Sequence, residues 1–160
     1  MATNIDAVAD RFAQVRARTE RLAAPLSAED QVVQSMPDTS PTKWHRAHTT
    51  WFFAEFVLRA DGTSGRVWDR PEYRFLYNSY YEAVGARHPR PQRGLVTRPS
   101  VGEVADYRNH VDKEMLELMA GGLDTAIAEV VELGTHHEEQ HQELLLMDIK
   151  HVLSMNPAVG

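Results

Sequence analysis

The histidines are the residues of this chain whose type and spacing could do chemistry. There are eight of them in 160 residues, and two, His137 and His141, are four residues apart. Residues four apart lie on one face of an α-helix, so both imidazoles could bind a single metal ion. The chain has no cysteine, which excludes disulfide bonds, cysteine-ligated zinc, iron–sulfur clusters and a thiol nucleophile. The histidine pair therefore predicts a metal site.

The segment that carries this pair has the periodicity of an amphipathic helix. One face would carry the pair and three further residues: His137, His141, Leu144, Asp148 and His151. The opposite face would carry charged side chains: Glu132, Glu139, Glu143 and Lys150. At about 100° per residue, this division points the pair into a helical bundle, where metal sites combine such pairs with a ligand from a facing helix. Hydrogen-bonded core histidines are the alternative interpretation.

Residues 137–141 also match the His-Glu-x-x-His motif of zinc proteases, in which the glutamate acts as general base. The rest of the protease pattern is missing. Leu144 and Met147 stand where a metzincin has glycine and histidine, and no glutamate follows Glu143 as a third ligand. We therefore disfavour a protease and expect the third ligand from elsewhere in the chain. The candidates, among which spacing alone does not decide, are His45, His48, His88 and His110.

Local signals predict the helices that must position these residues. A helical pattern covers residues 4–24, with Thr3 or Asn4 as its cap. Residues 27–30 resemble a capping box and should open a short helix that Pro37 ends.

Three long helices are predicted further along the chain. Their start signals are an N-cap serine followed by proline (Ser40-Pro41), a capping box (Ser100 to Glu103) and an N-cap aspartate (Asp124). These helices should extend to about residues 60, 120 and 155. Glycines and prolines interrupt residues 61–99, but their aromatic centre indicates an ordered excursion against the bundle. We predict an all-α, four-helix bundle, a single domain over residues 1–160 with a long ordered loop between its second and third main helices.

The charge balance limits the classes of molecule that the chain is expected to bind. The chain has 17 Lys and Arg against 23 Asp and Glu, a formal charge of −6, and no basic block. Nucleic-acid binding needs clustered basic residues, so we expect no nucleic acid as partner. No run approaches the roughly 18 apolar residues of a membrane span, and the first residues do not resemble a secretion signal. We therefore expect no membrane contact and a cytoplasmic location.

Three segments of the chain resemble one known family. They are residues 40–53 (SPTKWHRAHTTWFF), 76–85 (LYNSYYEAVG) and 137–151 (HEEQHQELLLMDIKH). Together they look like the N-terminal DinB-type domain of the sulfoxide synthases of ergothioneine biosynthesis, the hercynine oxygenases. The similarity runs from about residue 4 to 154 and preserves the order of the three motifs.

This resemblance implies a DinB-like four-helix bundle with a mononuclear non-haem Fe(II) ion held by His48, His137 and His141. In that family, iron uses O2 to join the sulfur of γ-glutamylcysteine or cysteine to the imidazole of Nα-trimethylhistidine, and the product is a sulfoxide. By the same resemblance, Arg87 and Arg90 hold the carboxylate of the thiol substrate. Three neutral imidazoles leave the charge of the ion uncompensated, which favours an anionic thiolate as incoming ligand.

Gln140 by resemblance contacts the trimethylhistidine side of the pocket. The family joins its bundle to a second domain, similar to the formylglycine-generating enzyme, which supplies a catalytic tyrosine and much of that pocket. The 160 residues match only the first domain, so we expect no complete catalytic set on them. The 160 residues could then be one domain of a longer enzyme, one part of a split enzyme whose second domain acts in trans, or a shorter relative with another task. Self-association is a further possible interaction.

Two other functions remain open at this point. A DinB-like thiol transferase would use Zn or Ni on the same histidines and would need no oxygen. A non-catalytic bundle would act through protein contacts alone.

Overall fold

The computed structural model describes residues 5–62, 68 and 70–159. Within these residues there are five α-helices and no β-strand: α1 (Ile5–Ala23), α2 (Thr42–Phe53), α3 (Glu72–Leu76), α4 (Val101–Ala120) and α5 (Thr125–Ser154). The all-α prediction is therefore confirmed. No helix in this part of the chain is both long and apolar enough to cross a membrane.

The four long helices α1, α2, α4 and α5 form the bundle, and α2 is its central member. Helix α5 packs against α1 and α2, and α4 packs mainly against α2. All twelve residues of α2 are buried. Its aromatic side chains meet the other helices in one core, which includes Phe12, Trp51, Phe53, Val111 and Met115. A histidine on α2 is therefore shielded from water by its position alone.

Helix α2 differs from its prediction at the first residue. We predicted Ser40 as N-cap and Pro41 as the first helical residue, but the helix begins at Thr42 and Pro41 occupies the cap position without a side-chain hydrogen bond. The hydroxyl of Ser40 instead accepts a hydrogen bond from Arg93 at 2.9 Å. At its other end, α2 continues into a π-helical turn, Ala54–Leu58, which accounts for the predicted length.

Two other start signals act as predicted. Ser100 Oγ accepts from the backbone N–H of Glu103 at 3.1 Å, and the Glu103 carboxylate accepts from the Ser100 N–H at 2.8 Å, so the capping box of α4 is complete. Asp124 accepts from the N–H of Ile127 at 2.8 Å and caps α5. Gly122 follows α4 with a φ of 94°, a conformation that glycine adopts without strain.

The predicted start signal at residues 27–30 begins only a very short helix. Ser27 and Asp30 exchange the two hydrogen bonds of a capping box, but they open only one turn of 3₁₀ helix, Asp30–Val32, which ends well before Pro37. The predicted caps of α1, Thr3 and Asn4, lie outside the described residues.

The excursion between α2 and α4 is ordered against the bundle where it is described. It contains α3 and a 3₁₀ helix, Arg90–Leu95, and it buries the side chains of Tyr73, Tyr77 and Asn78. Lys43 of α2 anchors its last part by donating to the carbonyl oxygens of Val96 and Pro99 at 2.6 and 2.8 Å. This segment therefore forms one wall over the middle of α2.

Candidate metal centre

Three histidines from two helices meet at one point. His48 of α2 and His137 and His141 of α5 each offer a ring nitrogen, and these nitrogens lie within 4.8 Å of one another. In the described part of the chain, this is the one group of three such side chains. The Nε2 atoms of His48 and His137 are 3.1 Å apart. Two nitrogens bound at about 2.1 Å and at right angles to one ion would be about 3.0 Å apart, so the spacing fits a shared metal.

The rotation of α5 is fixed by the residues on its other side. Glu138 is fully buried and accepts hydrogen bonds from Arg16 of α1 at 2.8 Å and from Arg108 of α4 at 3.0 Å. Gln142 donates to the carbonyl oxygen of Val15 at 2.9 Å. These contacts hold one face of α5 against α1 and α4, so the histidine face is presented to α2.

Glu138 is also the glutamate of the protease-like motif, and the structure gives it another role. Burial alone would raise its pKa, but the two guanidinium groups of Arg16 and Arg108 lower the pKa of Glu138 to about 2. A carboxylate held by two buried arginines on the far side of α5 is a poor general base and does not face the three histidines. The position of Glu138 therefore agrees with rejecting a protease.

His48 is held in one orientation by its partners on α2 and in the excursion. Its Nδ1 lies 2.6 Å from the carbonyl oxygen of Tyr77, which can only accept, so Nδ1 carries the proton and Nε2 keeps its lone pair. The ring stacks on Trp44, with centroids 4.5 Å apart and planes 12° from parallel. Burial lowers the pKa of His48 well below its usual value, so the imidazole is neutral at neutral pH.

The two histidines of α5 are also neutral. Burial lowers the pKa of His137 to about 4. Burial and the neighbouring histidines lower the pKa of His141 even further. A histidine binds a metal ion only in its neutral form, so all three rings are in the state that a metal needs.

Of the other histidines considered as ligands, none joins this group. His45 is on α2 but lies behind His141, with its Nδ1 3.0 Å from Nδ1 of that residue. His110 packs against Trp68, with ring centroids 5.1 Å apart. His88 packs against Phe75 in the excursion. Of the two α2 histidines between which spacing left the choice open, His48 belongs to the group of three and His45 does not.

The three histidines open onto a cavity of about 430 Å³ between α2, α5 and the excursion, a size that holds a small molecule. Two of the three predicted substrate-binding residues, Arg90 and Gln140, line it. Arg87 does not; it lines an adjoining cavity of about 220 Å³ beside His88. The two cavities share a common wall formed by Ser79, Tyr80, Arg90 and Arg93.

Comparison with known proteins identifies the family to which the chain belongs. The family model of the DinB superfamily matches residues 11–151. This chain belongs to the DinB superfamily. Members of the superfamily are often metal-dependent enzymes, and the three-histidine group lies within the matched residues. No curated protein matches the chain significantly.

In this DinB-superfamily protein, the wall between the cavities contains a residue that the sequence analysis missed. Arg93 is buried, its guanidinium lies 3.5 Å from the ring centre of Trp44, and it lines both cavities. Its Nε is buried and has no hydrogen-bond partner in the described part of the chain. Burial and the charge of Arg90 lower the pKa of Arg93 to about 10, so it remains a cation at neutral pH. Because a 3₁₀ helix has three residues per turn, Arg90 and Arg93 lie on the same side of it.

The chemistry of the site follows from its charges. Neutral imidazoles face one side of the cavity, and Arg90 and Arg93 face another. The Asp148 carboxylate in its lining accepts hydrogen bonds from the ring of His45 and the backbone of Ser40. A divalent ion on the histidines would add to the two guanidinium charges. The DinB-superfamily site therefore favours an anionic ligand beside a metal ion.

Proposed function

We propose that this DinB-superfamily chain is the iron-binding domain of a non-haem Fe(II), O2-dependent sulfoxide synthase. The reaction would join the sulfur of γ-glutamylcysteine or cysteine to the imidazole of Nα-trimethylhistidine. The observation that carries this proposal is a group of three neutral histidines opening onto a cavity whose wall contains Arg90 and Arg93. All three segments that resemble the sulfoxide synthases contribute residues to that cavity, which supports a sulfoxide synthase.

His48, His137 and His141 would hold the iron, and iron would supply one-electron and O2 chemistry. Their donor set contains no carboxylate, so the protein contributes no negative charge directly to the ion. An anionic thiolate is then a better additional ligand than a neutral molecule. With only three protein ligands, the ion would also keep coordination positions free for other ligands.

The arginines would bind the carboxylate of the thiol substrate. Guanidinium groups pair with carboxylates through two parallel hydrogen bonds, and burial of Arg93 strengthens such a pair. Arg90 and Arg93 face the histidine cavity, and Arg87 can reach only a substrate that extends into the adjoining cavity. Arg87 would therefore contact a γ-glutamyl extension that reaches the adjoining cavity, whereas a substrate confined to the histidine cavity would meet only Arg90 and Arg93.

Recognition of the trimethylammonium group would come partly from elsewhere. Trp44 already contacts His48 and the guanidinium of Arg93, and Tyr81 packs on Trp51, Phe52 and Phe56. These rings are engaged by their neighbours and do not form a free aromatic cage. Gln140 is exposed at the cavity and would contact that substrate. We propose that a second domain, similar to the formylglycine-generating enzyme, closes the pocket and donates the proton.

A thiol transferase that uses Zn or Ni is the second candidate, because neutral imidazoles bind these ions as readily as iron. Oxygen dependence separates the two. The test is O2 uptake by the iron-loaded chain with γ-glutamylcysteine and trimethylhistidine, with and without a second-domain protein. The proposal predicts stoichiometric O2 uptake and a C–S product in the complete system, and none in the His141→Ala variant. A thiol product formed equally well without O2 would contradict it.

The matched control for this experiment is His136→Ala. His136 is adjacent to His137 but exposed, where it lies near Glu132 and Glu139. Its removal changes the histidine content of α5 without touching the cavity, so the control should retain both iron and O2 uptake.

A further inference from the structure

Two buried polar side chains lie directly behind one of the candidate ligands. His45 and Asp148 are 3% and 4% exposed, and neither belongs to the three-histidine group. His45 Nδ1 is 3.0 Å from His141 Nδ1, and His45 Nε2 is 2.8 Å from Asp148 Oδ2. Asp148, His45 and His141 therefore form a continuous chain of hydrogen bonds, which we call the relay.

The direction of each hydrogen bond in this chain follows from its last residue, Asp148. The Asp148 carboxylate can only accept, and its Oδ2 also accepts from the backbone N–H of Ser40 at 2.9 Å. His45 must therefore donate from Nε2, which leaves the Nδ1 of its neutral ring as an acceptor. His141 must then donate from Nδ1, and its Nε2 is left with the lone pair.

We propose that Asp148 and His45 are positioning residues that fix the tautomer and orientation of His141 and so set the metal affinity of the site. The inference rests on the metal centre of the proposed function and not on its reaction. When the second ring nitrogen of a ligating histidine donates a hydrogen bond to an acceptor, the ring is held in place and its other nitrogen binds the metal more strongly.

The three candidate ligands differ in this respect. His48 donates to a backbone carbonyl of Tyr77, which carries no net charge. The Nδ1 of His137 is buried and has no hydrogen-bond partner among the described residues. Only the chain behind His141 ends on a carboxylate, so a disturbance of Asp148 or His45 should change the site through this one ligand.

The test measures Co²⁺ affinity by visible absorption and chelator competition, with metal-free thermal unfolding recorded for every variant. The relay predicts that Asp148→Leu and His45→Phe weaken Co²⁺ binding by about 10- to 100-fold. Asp148→Asn keeps an acceptor oxygen but loses the charge, so its effect should be smaller. The double variant His45→Phe/Asp148→Leu should bind no more weakly than the worse single variant, because both remove the same chain.

The control and the conservative variants keep the inference open to refutation. His151→Gln removes a histidine from the same helix whose Nδ1 bonds to Ser35 instead, and its Co²⁺ affinity should stay within threefold of wild type. If Leu or Phe prevents folding, Asp148→Asn and His45→Gln provide the comparison. Folded variants of His45 and Asp148 with wild-type affinity, or additive effects in the double variant, would overturn the relay. A wild-type chain that binds no Co²⁺ would overturn the metal centre itself, and with it the relay.

Discussion

Gly134 lies one turn before His137, where α5 packs closely on two phenylalanines of α2. A Cβ placed on Gly134 would clash with Cε1 of Phe53, and it would lie 2.8 Å from Phe53 Cζ and 2.9 Å from Phe52 Cε1. Contacts under 3.0 Å require the rings to move. Phe53 is fully buried in the core, and Phe52 packs against the ring of His137 with centroids 4.9 Å apart. The substitution Gly134→Ala therefore perturbs both the core and a candidate ligand.

The expected effect has two opposing parts. Replacing glycine by alanine inside a helix normally stabilises a protein by roughly 1 kcal/mol. Extra volume in a well-packed core costs about 1–3 kcal/mol. Because two buried rings must shift, we expect the packing cost to exceed the helix gain, and Gly134→Ala should lower the free energy of unfolding by about 1–2 kcal/mol. Metal affinity should fall severalfold as Phe52 displaces His137.

Urea unfolding of the metal-free protein measures the first effect, and Co²⁺ titration measures the second. Gly102→Ala is the matched control, because Gly102 is also helical and its added Cβ would lie 3.8 Å from Ser100 Oγ, the nearest described atom outside its chain neighbours and its own helix backbone. That control should be as stable as wild type or more stable. If Gly134→Ala were as stable as Gly102→Ala, the close packing of α2 and α5 would be refuted.

Three further predictions test the charges of the site. Arg93→Lys keeps the charge but loses the planar fork, so it should weaken binding of the carboxylate-bearing thiol roughly tenfold, as measured by calorimetry, while exposed Arg98→Lys has no effect. The pKa of His137 is about 4 when folded against 6.5 as its ordinary value. Between these pH values only the unfolded chain binds that proton, so metal-free stability should fall as the pH decreases from 6.5 to 4. The contribution of His137 to this pH dependence of the unfolding free energy is on the order of 3 kcal/mol. His137→Gln should remove it, as measured by urea unfolding at pH 4.5 and 7.5. An unchanged pH dependence in the variant would contradict a buried neutral ring. Glu138→Gln breaks a buried ion pair and should lower the free energy of unfolding by about 3–5 kcal/mol. Its control, Glu139→Gln, breaks a half-exposed ion pair and should lower it by less than about 1 kcal/mol. Equal losses would contradict the structural role of Glu138.

Local chemistry was sufficient to predict much of the bundle. Ser100, Glu103 and Asp124 cap their helices through hydrogen bonds to residues three positions away, so a short stretch of sequence contains all the information. The helical period likewise placed His137 and His141 on the inner face of α5 and left Glu132 and Glu143 exposed.

The features that could not be predicted depend on distant residues. Ser40 looks like an N-cap, but its hydroxyl is taken by Arg93, which is 53 positions away. Arg93 itself was missed because its burial depends on Trp44. Glu138 lies in a run of nine polar residues, 135–143, and its burial is explained by Arg16 and Arg108 on two other helices.

The role that the resemblance gives to Arg87 stays a prediction. The resemblance placed it with Arg90 on one substrate, but it lines the adjoining cavity and donates to the carbonyl oxygen of Ser79 at 2.8 Å. Its role therefore depends on whether the substrate reaches that cavity.

The most direct test of the central claim is an anaerobic Fe(II) titration of the purified chain, with X-ray absorption spectroscopy of the loaded protein. The account predicts one iron per chain with histidine nitrogens as its protein ligands. His48→Ala, His137→Ala and His141→Ala should each lose stoichiometric binding, and His136→Ala should retain it. A wild-type chain without stoichiometric iron, or a His48→Ala variant that binds iron as tightly as wild type, would contradict it.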